Sequence, residues 1–251
     1  MQQFATPPAQ LQFLRFEIKY VLDRTTRIAV EESVQPFVGL DPHVLALPEQ
    51  SYFVRSLYYD DAVLTAFHDK VDGLRSRSKF RLRTYAKTAA DASPWFLEIK
   101  GRRDQLAFKR RTPVVAVLDP GTRGDALTRL VLREAQRGNV RDEFEFATLR
   151  RGIRPIALVD YVRRPYVSHF DPEFRLTFDS EIATRATDAL FPSPSTASRH
   201  VARGRTVLEV KFAQRVPAWF LRIVERHELR RRPFSKICES IVSLGIRSPD
   251  A

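Results

Sequence analysis

The chain has 251 residues, 43% of them hydrophobic and 29% charged, proportions that suit one large globular domain. Its net charge of +12 and pI near 10.2 imply a polyanionic partner, whether nucleic acid, an anionic membrane surface or a phosphate-rich small molecule. A lone cysteine, Cys238, excludes an internal disulfide and a Cys-based zinc site, no apolar run approaches the ~20 residues of a membrane span, and residues 1–10 lack a signal-peptide pattern. A cytoplasmic protein without a transmembrane segment is therefore expected, as one domain over 1–251 with a core at about 13–245 and loose ends at 1–10 and 247–251.

In chain order, residues 15–20 read as a strand with Glu17 and Lys19 on one face and Phe16, Ile18 and Tyr20 on the other. Residues 23–35 follow as a helix, with capping residues at its start and Val30 and Val34 at helical spacing. Residues 51–59 are a strand with Ser56 and Tyr58 on one face, and 61–70 a helix that Gly73 can stop. Three strands come next. Residues 79–85 align Lys79, Arg81 and Arg83; 95–100 align Glu98 and Lys100; 108–111 align Lys109 and Arg111. A helix over 125–137 precedes two more strands, 156–164 with Tyr161 and Arg163 on one side, and 174–179 with Arg175, Thr177 and Asp179 on one side. Residues 184–204 mix Ser, Pro, Thr and Ala and predict a long surface loop. Residues 207–212 align Glu209 and Lys211 opposite Leu208, Val210 and Phe212. A helix over 217–229 and a last one that Ser235 can cap, with Ile237, Ile241 and Leu244 on one side, complete the chain.

An ordinary half-exposed strand turns its polar side to water. Here the polar positions are Arg, Lys and Glu in pairs, and Glu17-Ile-Lys19, Glu98-Ile-Lys100 and Glu209-Val-Lys211 repeat an order that solvation does not demand. The pattern predicts an α+β fold: a closed antiparallel β-barrel of about eight strands with helices packed outside, apolar faces outward and charged faces lining a tunnel. Buried unpaired charge is costly, so so cationic a tunnel needs a polyanion. Arg suits bidentate phosphate binding and Lys acts as a point charge. The minority carboxylates can hold Mg²⁺ or Mn²⁺. Aromatic residues sit mostly on the opposite strand faces, away from any base they could stack on, so no specific nucleic-acid partner is expected. His43, His68, His169, His200 and His227 show no zinc spacing, and no phosphate-cradling Gly-rich loop appears.

The motifs Arg15-Phe-Glu-Ile-Lys-Tyr20, Val54-Arg-Ser-Leu-Tyr-Tyr-Asp60, Lys79-Phe-Arg-Leu-Arg-Thr-Tyr85, Phe96-Leu-Glu-Ile-Lys100 with Lys109-Arg-Arg111, Tyr161-Val-Arg163, Arg175-Leu-Thr-Phe-Asp179, Leu208-Glu-Val-Lys211 and Phe234-Ser-Lys236 occur in this order. Together they resemble the catalytic domain of the vacuolar transporter chaperone (VTC) family, within the triphosphate tunnel metalloenzyme (CYTH-like) superfamily. The resemblance runs from about residue 13 to 244. It implies a tunnel that binds ATP and polyphosphate with Mn²⁺ or Mg²⁺. In the polyphosphate polymerase branch it further implies transfer of the ATP γ-phosphoryl group to a growing polyphosphate chain. By position it implies phosphate contacts from Lys19, Lys79, Arg81, Arg83, Lys100, Lys109, Arg111, Arg163, Arg175, Lys211 and Lys236. Of these, Arg81, Arg83, Arg163 and Arg175 would neutralise the non-bridging oxygens in transfer, and Glu209 would hold the metal. Glu17 and Glu98 are either further metal ligands or partners that hold nearby Lys and Arg. The superfamily usually opens with Glu-x-Glu-x-Lys; Arg15 stands at the first Glu, which favours the polymerase branch over a two-carboxylate triphosphatase. A tri- or polyphosphatase on the same site and a non-catalytic module that binds polyphosphate or another polyanion remain alternatives. Oligomeric state and a membrane-protein partner stay open.

Overall fold

The structure, a computed structural model, describes residues 16–91, 94–104, 106–119 and 121–247. Arg15 and the expected loose ends at 1–10 and 248–251 lie outside the described residues.

Ten strands among the described residues form one antiparallel sheet. They are β1 (Phe16–Leu22), β2 (Val38–Leu40), β3 (Tyr52–Asp60), β4 (Ser76–Thr84), β5 (Trp95–Arg103), β6 (Leu106–Val114), β7 (Arg154–Ser168), β8 (Arg175–Arg185), β9 (Arg199–His200) and β10 (Thr206–Phe212). Six α-helices among the described residues accompany them: α1 (Arg24–Val34), α2 (Thr65–Val71), α3 (Gly124–Glu134), α4 (Asn139–Arg151), α5 (Ala218–Arg226) and α6 (Lys236–Leu244). None of these helices is long and apolar enough to cross a membrane.

The fold is α+β, as the alternation predicts. Its main path runs β1-β10-β8-β7-β3-β4-β5-β6, with β2 added to β7 and β9 to β8. The expected closure is not made: no β1–β6 pairing occurs among the described residues. Alternation fixes which face of a strand is buried, but a ladder also needs the two end backbones within about 4.8 Å of each other. What connects β1 to the far half of the sheet is a side-chain contact, Lys100 Nζ on β5 lying 3.6 Å from Glu17 Oε2 on β1. Register places charge opposite charge where β1 meets β10, with Lys19 facing Glu209 and Glu17 facing Lys211. Such pairs contribute about 0.2–1 kcal/mol each in a sheet.

Apolar faces point outward under helices. Leu57, Phe80, Leu82, Leu97 and Ile99 pack beneath Leu127 and Val131 of α3 and Phe144 and Ala147 of α4. Tyr20, Phe174, Leu176, Phe178, Leu208 and Val210 pack with Val30 and Val34 of α1 and Phe220 and Ile223 of α5. The sequence did not foretell a third cluster. Ile237 and Ile241 of α6 pack against Val54, Tyr58, Val159, Tyr161 and Val207, residues of the charged, concave side of the sheet. The last helix thus fills part of the lumen instead of lying outside.

Other helices depart from expectation in smaller ways. α1 is capped by Asp23, whose carboxylate accepts from the Thr26 amide at 2.8 Å. α2 starts at Thr65, not at 61, because Leu64 before it is left-handed (φ 56°) and the buried Asp60 carboxylate takes the Ala66 and Phe67 amides. Ser235 precedes α6 but makes no side-chain capping bond. The expected 184–204 loop is trimmed by β8, which reaches Arg185, and by β9, which pairs with Ala183 and Thr184.

Candidate functional site

Two nests of charge occupy the lumen. The first is built on β3, β4 and β5 around Glu98, which is fully buried. Its Oε2 accepts from Arg81 Nε at 2.7 Å and lies 3.7 Å from Arg83 Nε; its Oε1 lies 2.8 Å from Lys109 Nζ on β6. Arg81 also donates to the Tyr58 hydroxyl at 3.0 Å, and Arg83 to the hydroxyls of Ser56 at 3.2 Å and Tyr161 at 3.3 Å. Burial alone would raise the Glu98 carboxyl, yet Arg81, Arg83 and Lys109 hold it well below the usual carboxylate range. Burial pushes the Lys109 ammonium down to about 7, with Arg83 and Arg81 adding to the fall and Glu98 opposing it. Burial would raise the Tyr58 phenol too, but Arg81 and Arg83 bring it down to about 8.

The second nest joins β7, β8, β10 and α6 around Asp179 and Glu209, both buried. Arg163 donates to the two Asp179 oxygens at 2.6 Å each and to Glu209 Oε2 at 3.1 Å. Lys236, at the first position of α6, bridges the same pair: its Nζ lies 2.6 Å from Asp179 and 2.8 Å from Glu209. Lys19 lies 3.3 Å and Lys211 3.9 Å from Glu209. Burial would raise both carboxyls, but this ring of cations depresses them, Glu209 strongly. Burial drives the Lys211 ammonium down to about 8 despite Glu209.

Two side chains tie the nests together. Tyr161 accepts from Arg83 while its ring carries Arg163 at 5.3 Å and Lys236 at 4.8 Å, close enough for cation–π attraction. Glu17 lies 3.1 Å from Lys19 and 3.6 Å from Lys100. Burial opposes its ionisation, but Lys100, Lys19 and Lys211 bring its pKa to about 2.

The structure therefore brings together Glu17, Lys19, Arg81, Arg83, Glu98, Lys100, Lys109, Arg163, Glu209, Lys211 and Lys236. Lys79 is half-buried on the same strand face as Arg81 and Arg83, and burial lowers its pKa. Arg175 and Arg111 are not drawn into the nests. Arg175 is exposed, opposite Lys211, and donates to its own loop at Pro172 O. Arg111 is exposed and stacks on the Phe96 ring at 4.7 Å. Neither makes an ion pair among the described residues. Asp179, Tyr58, Tyr161 and Ser56 fell on the charged faces by alternation, but their roles depend on which strands become neighbours.

The donor chemistry for Mg²⁺ or Mn²⁺ is uneven. Glu98 stands apart from Glu209, gripped by its own three cations, and acts as an anchor for Arg81 and Arg83. Glu17 and Glu209 both approach Lys19, so their hard oxygens converge on one centre of positive charge. No group of three His, Cys, Asp or Glu residues suited to a metal occurs among the described residues. Phosphate oxygens would complete the shell of an ion held there.

A family model described as the VTC domain matches residues 14–245. No curated protein matches the chain. A solved Bacillus halodurans protein, provisionally described as an adenylate cyclase, is 10% identical, with a TM-score of 0.51 over 89% of this chain and 94% of that one. The PH1819 protein of Pyrococcus horikoshii OT3 is 12% identical, with a TM-score of 0.43 over 92% of this chain and 100% of that one. At such identity the first likeness is one of fold.

Proposed function

The chain belongs to the VTC domain family, and from that premise we propose that it is a phosphotransferase whose lumen binds triphosphate and polyphosphate, and that it passes the ATP γ-phosphoryl group to a polyphosphate chain. The observation that carries this reading is the charge state of the lumen. Its carboxylates are already engaged by basic side chains, yet Lys79, Arg111 and Arg175 face it with no ion pair among the described residues. An entering polyanion would neutralise them.

Phosphoryl transfer asks the protein mainly for position and charge neutralisation. Arg81 and Arg83, aimed by Glu98, Ser56 and the two tyrosines, present guanidinium edges to non-bridging oxygens from one wall. Arg163 and Lys236 do so from the other, and Lys19, Lys100, Lys109 and Lys211 grip the chain between them. Arg175 and Arg111 receive phosphates at the exposed margins. Glu209 with Glu17 would hold Mg²⁺ or Mn²⁺, which supplies further neutralisation at phosphate oxygens. A terminal phosphate acceptor is ionised at neutral pH and needs no base. Water would need one, and each lumen carboxylate is engaged by two or more cations that depress its pKa and make it a weak proton acceptor, which favours transfer over hydrolysis.

The test is incubation of pure protein with ATP and Mn²⁺ or Mg²⁺, with polyphosphate and free phosphate both measured. Polyphosphate is expected. Free phosphate alone makes the site a hydrolase, and neither product makes the chain a binding module.

A further inference from the structure

A groove of about 340 Å³ lies at the ends of β4, β5 and β6, beside α2 and α4, and draws side chains from both faces of the sheet. Arg77, Arg102, Arg103, Arg110 and Arg151 line it, against Asp69 and Glu143. Only part of that positive charge is neutralised. Arg110 is held by Glu143 through two bonds of 2.6 and 2.8 Å, and Arg151 by Asp61 at 2.9 Å. Arg77 and Arg102 donate to the backbone carbonyls of Leu74 and Asp104. Arg103 is exposed and has no hydrogen bond or ion pair among the described residues.

Two arginines of the groove share a strand face with the lumen. Arg77 faces Arg102 in the β4–β5 register, two residues beyond the Lys79–Lys100 pair and on the same strand face. Along β4 the basic residues Arg81, Lys79 and Arg77 therefore share one face, and the last of them lines the groove. The aromatic side chain in the groove offers no face to a base. Phe108 lies against Gly101, where a Cβ would run into its ring, and Arg110 covers it at 5.2 Å. That favours a phosphate chain over a single-stranded nucleic acid, whose binding rests on stacking.

We propose that this groove is a second phosphate-chain site, taking the stretch of polyphosphate that runs past Arg77 and Arg102 out of the lumen. A long chain is then held at two places and a triphosphate at one. The proposal rests on the lumen reading given above.

Arg103→Glu tests it, with Arg103→Lys as the conservative control; the exposed, unbonded side chain makes either change compatible with folding. Affinities for long-chain polyphosphate and for tripolyphosphate are measured at one salt concentration. Cutting a two-point grip to one is expected to weaken long-chain binding about tenfold or more. Tripolyphosphate affinity stays the same, and Arg103→Lys keeps most of the long-chain affinity. An equal change for both ligands, or no change for the long chain, overturns the proposal. So does an oligodeoxynucleotide of matched charge that binds wild type as tightly and loses as much, since the groove is then a general polyanion surface. Failure of wild type to bind tripolyphosphate sinks the lumen reading instead, while the effect of Arg103→Glu on the long chain still decides the groove.

Discussion

Glu209 accepts or attracts charge from Arg163, Lys236, Lys19 and Lys211 at once, so its removal leaves several buried cations facing one another. Breaking a buried pair from one side costs about 3 kcal/mol or more. Glu209→Gln should therefore lower the melting temperature of the empty protein, and tripolyphosphate should restore more of it than it adds to wild type. Turnover of ATP should fall by ~10²-fold, the scale of one lost electrostatic group; normal turnover in the variant would remove Glu209 from the mechanism. The lysines predict a pH dependence. Lys211 and Lys109 sit at about 8 and 7 in the folded chain against 10.5 for a free lysine. Held protonated in the empty lumen they destabilise it, a cost fully present below pH 7 and relieved as pH rises toward 10.5. Bound phosphate favours the ammonium form, so binding at pH 8 should take up protons, read by calorimetry in buffers of different ionisation heat. Lys211→Met should lose part of that uptake. At this scale the sequence was legible where alternation sufficed: Glu17, Lys19, Arg81, Glu98 and Glu209 all face inward as expected. The pairing of Asp179 with Lys236 was not, since the two lie 57 positions apart with a helix between them, and no local pattern reports that contact.

Among the elements, α6 couples the apolar and charged halves of the lumen. Ile237 and Ile241 anchor it among Tyr58, Val159 and Val207, and that seating delivers Lys236 to Asp179 and Glu209. Ile241→Ala should destabilise the protein by about 3 kcal/mol, as large-to-small changes in a packed core do. It should also weaken tripolyphosphate binding, though the substituted side chain touches no phosphate; unchanged affinity would mean that Lys236 needs no such support. The stripe of Ile237, Ile241 and Leu244 announced a helix with one buried face, but the expectation that it would pack outside failed, because Val54, Val159 and Val207 leave an apolar seat for it on the charged face. α4 escaped the sequence reading because its apolar residues do not keep to one side: Val140, Phe144 and Ala147 are buried, whereas Phe146 and Leu149 are exposed. A three-residue strand such as β2 leaves too short a pattern to register.

For the whole molecule, the excess of positive charge in the lumen sets the response to ligands. Tripolyphosphate should raise the melting temperature well above the effect of monophosphate at equal concentration, because only a chain can touch both nests. The gain should shrink with added salt. Equal shifts from the two ligands would mean that the nests act separately. Charge within and apolar strand faces outward were readable from the sequence because the longer strands share one alternation; α6, seated in the lumen, departs from that plan. Closure was not readable, because it depends on where the first and last strands end in space. That difference changes how a polymer can get in. A ring admits a thread only by its tip, one unit after another. A sheet with no β1–β6 pairing among the described residues, its two ends linked only by the Glu17–Lys100 side-chain contact from β1 to β5, is instead a slot. On the proposed function, a chain of any length should then enter from the side, and a polyphosphate with both tips blocked by bulky groups should bind as tightly as a free one.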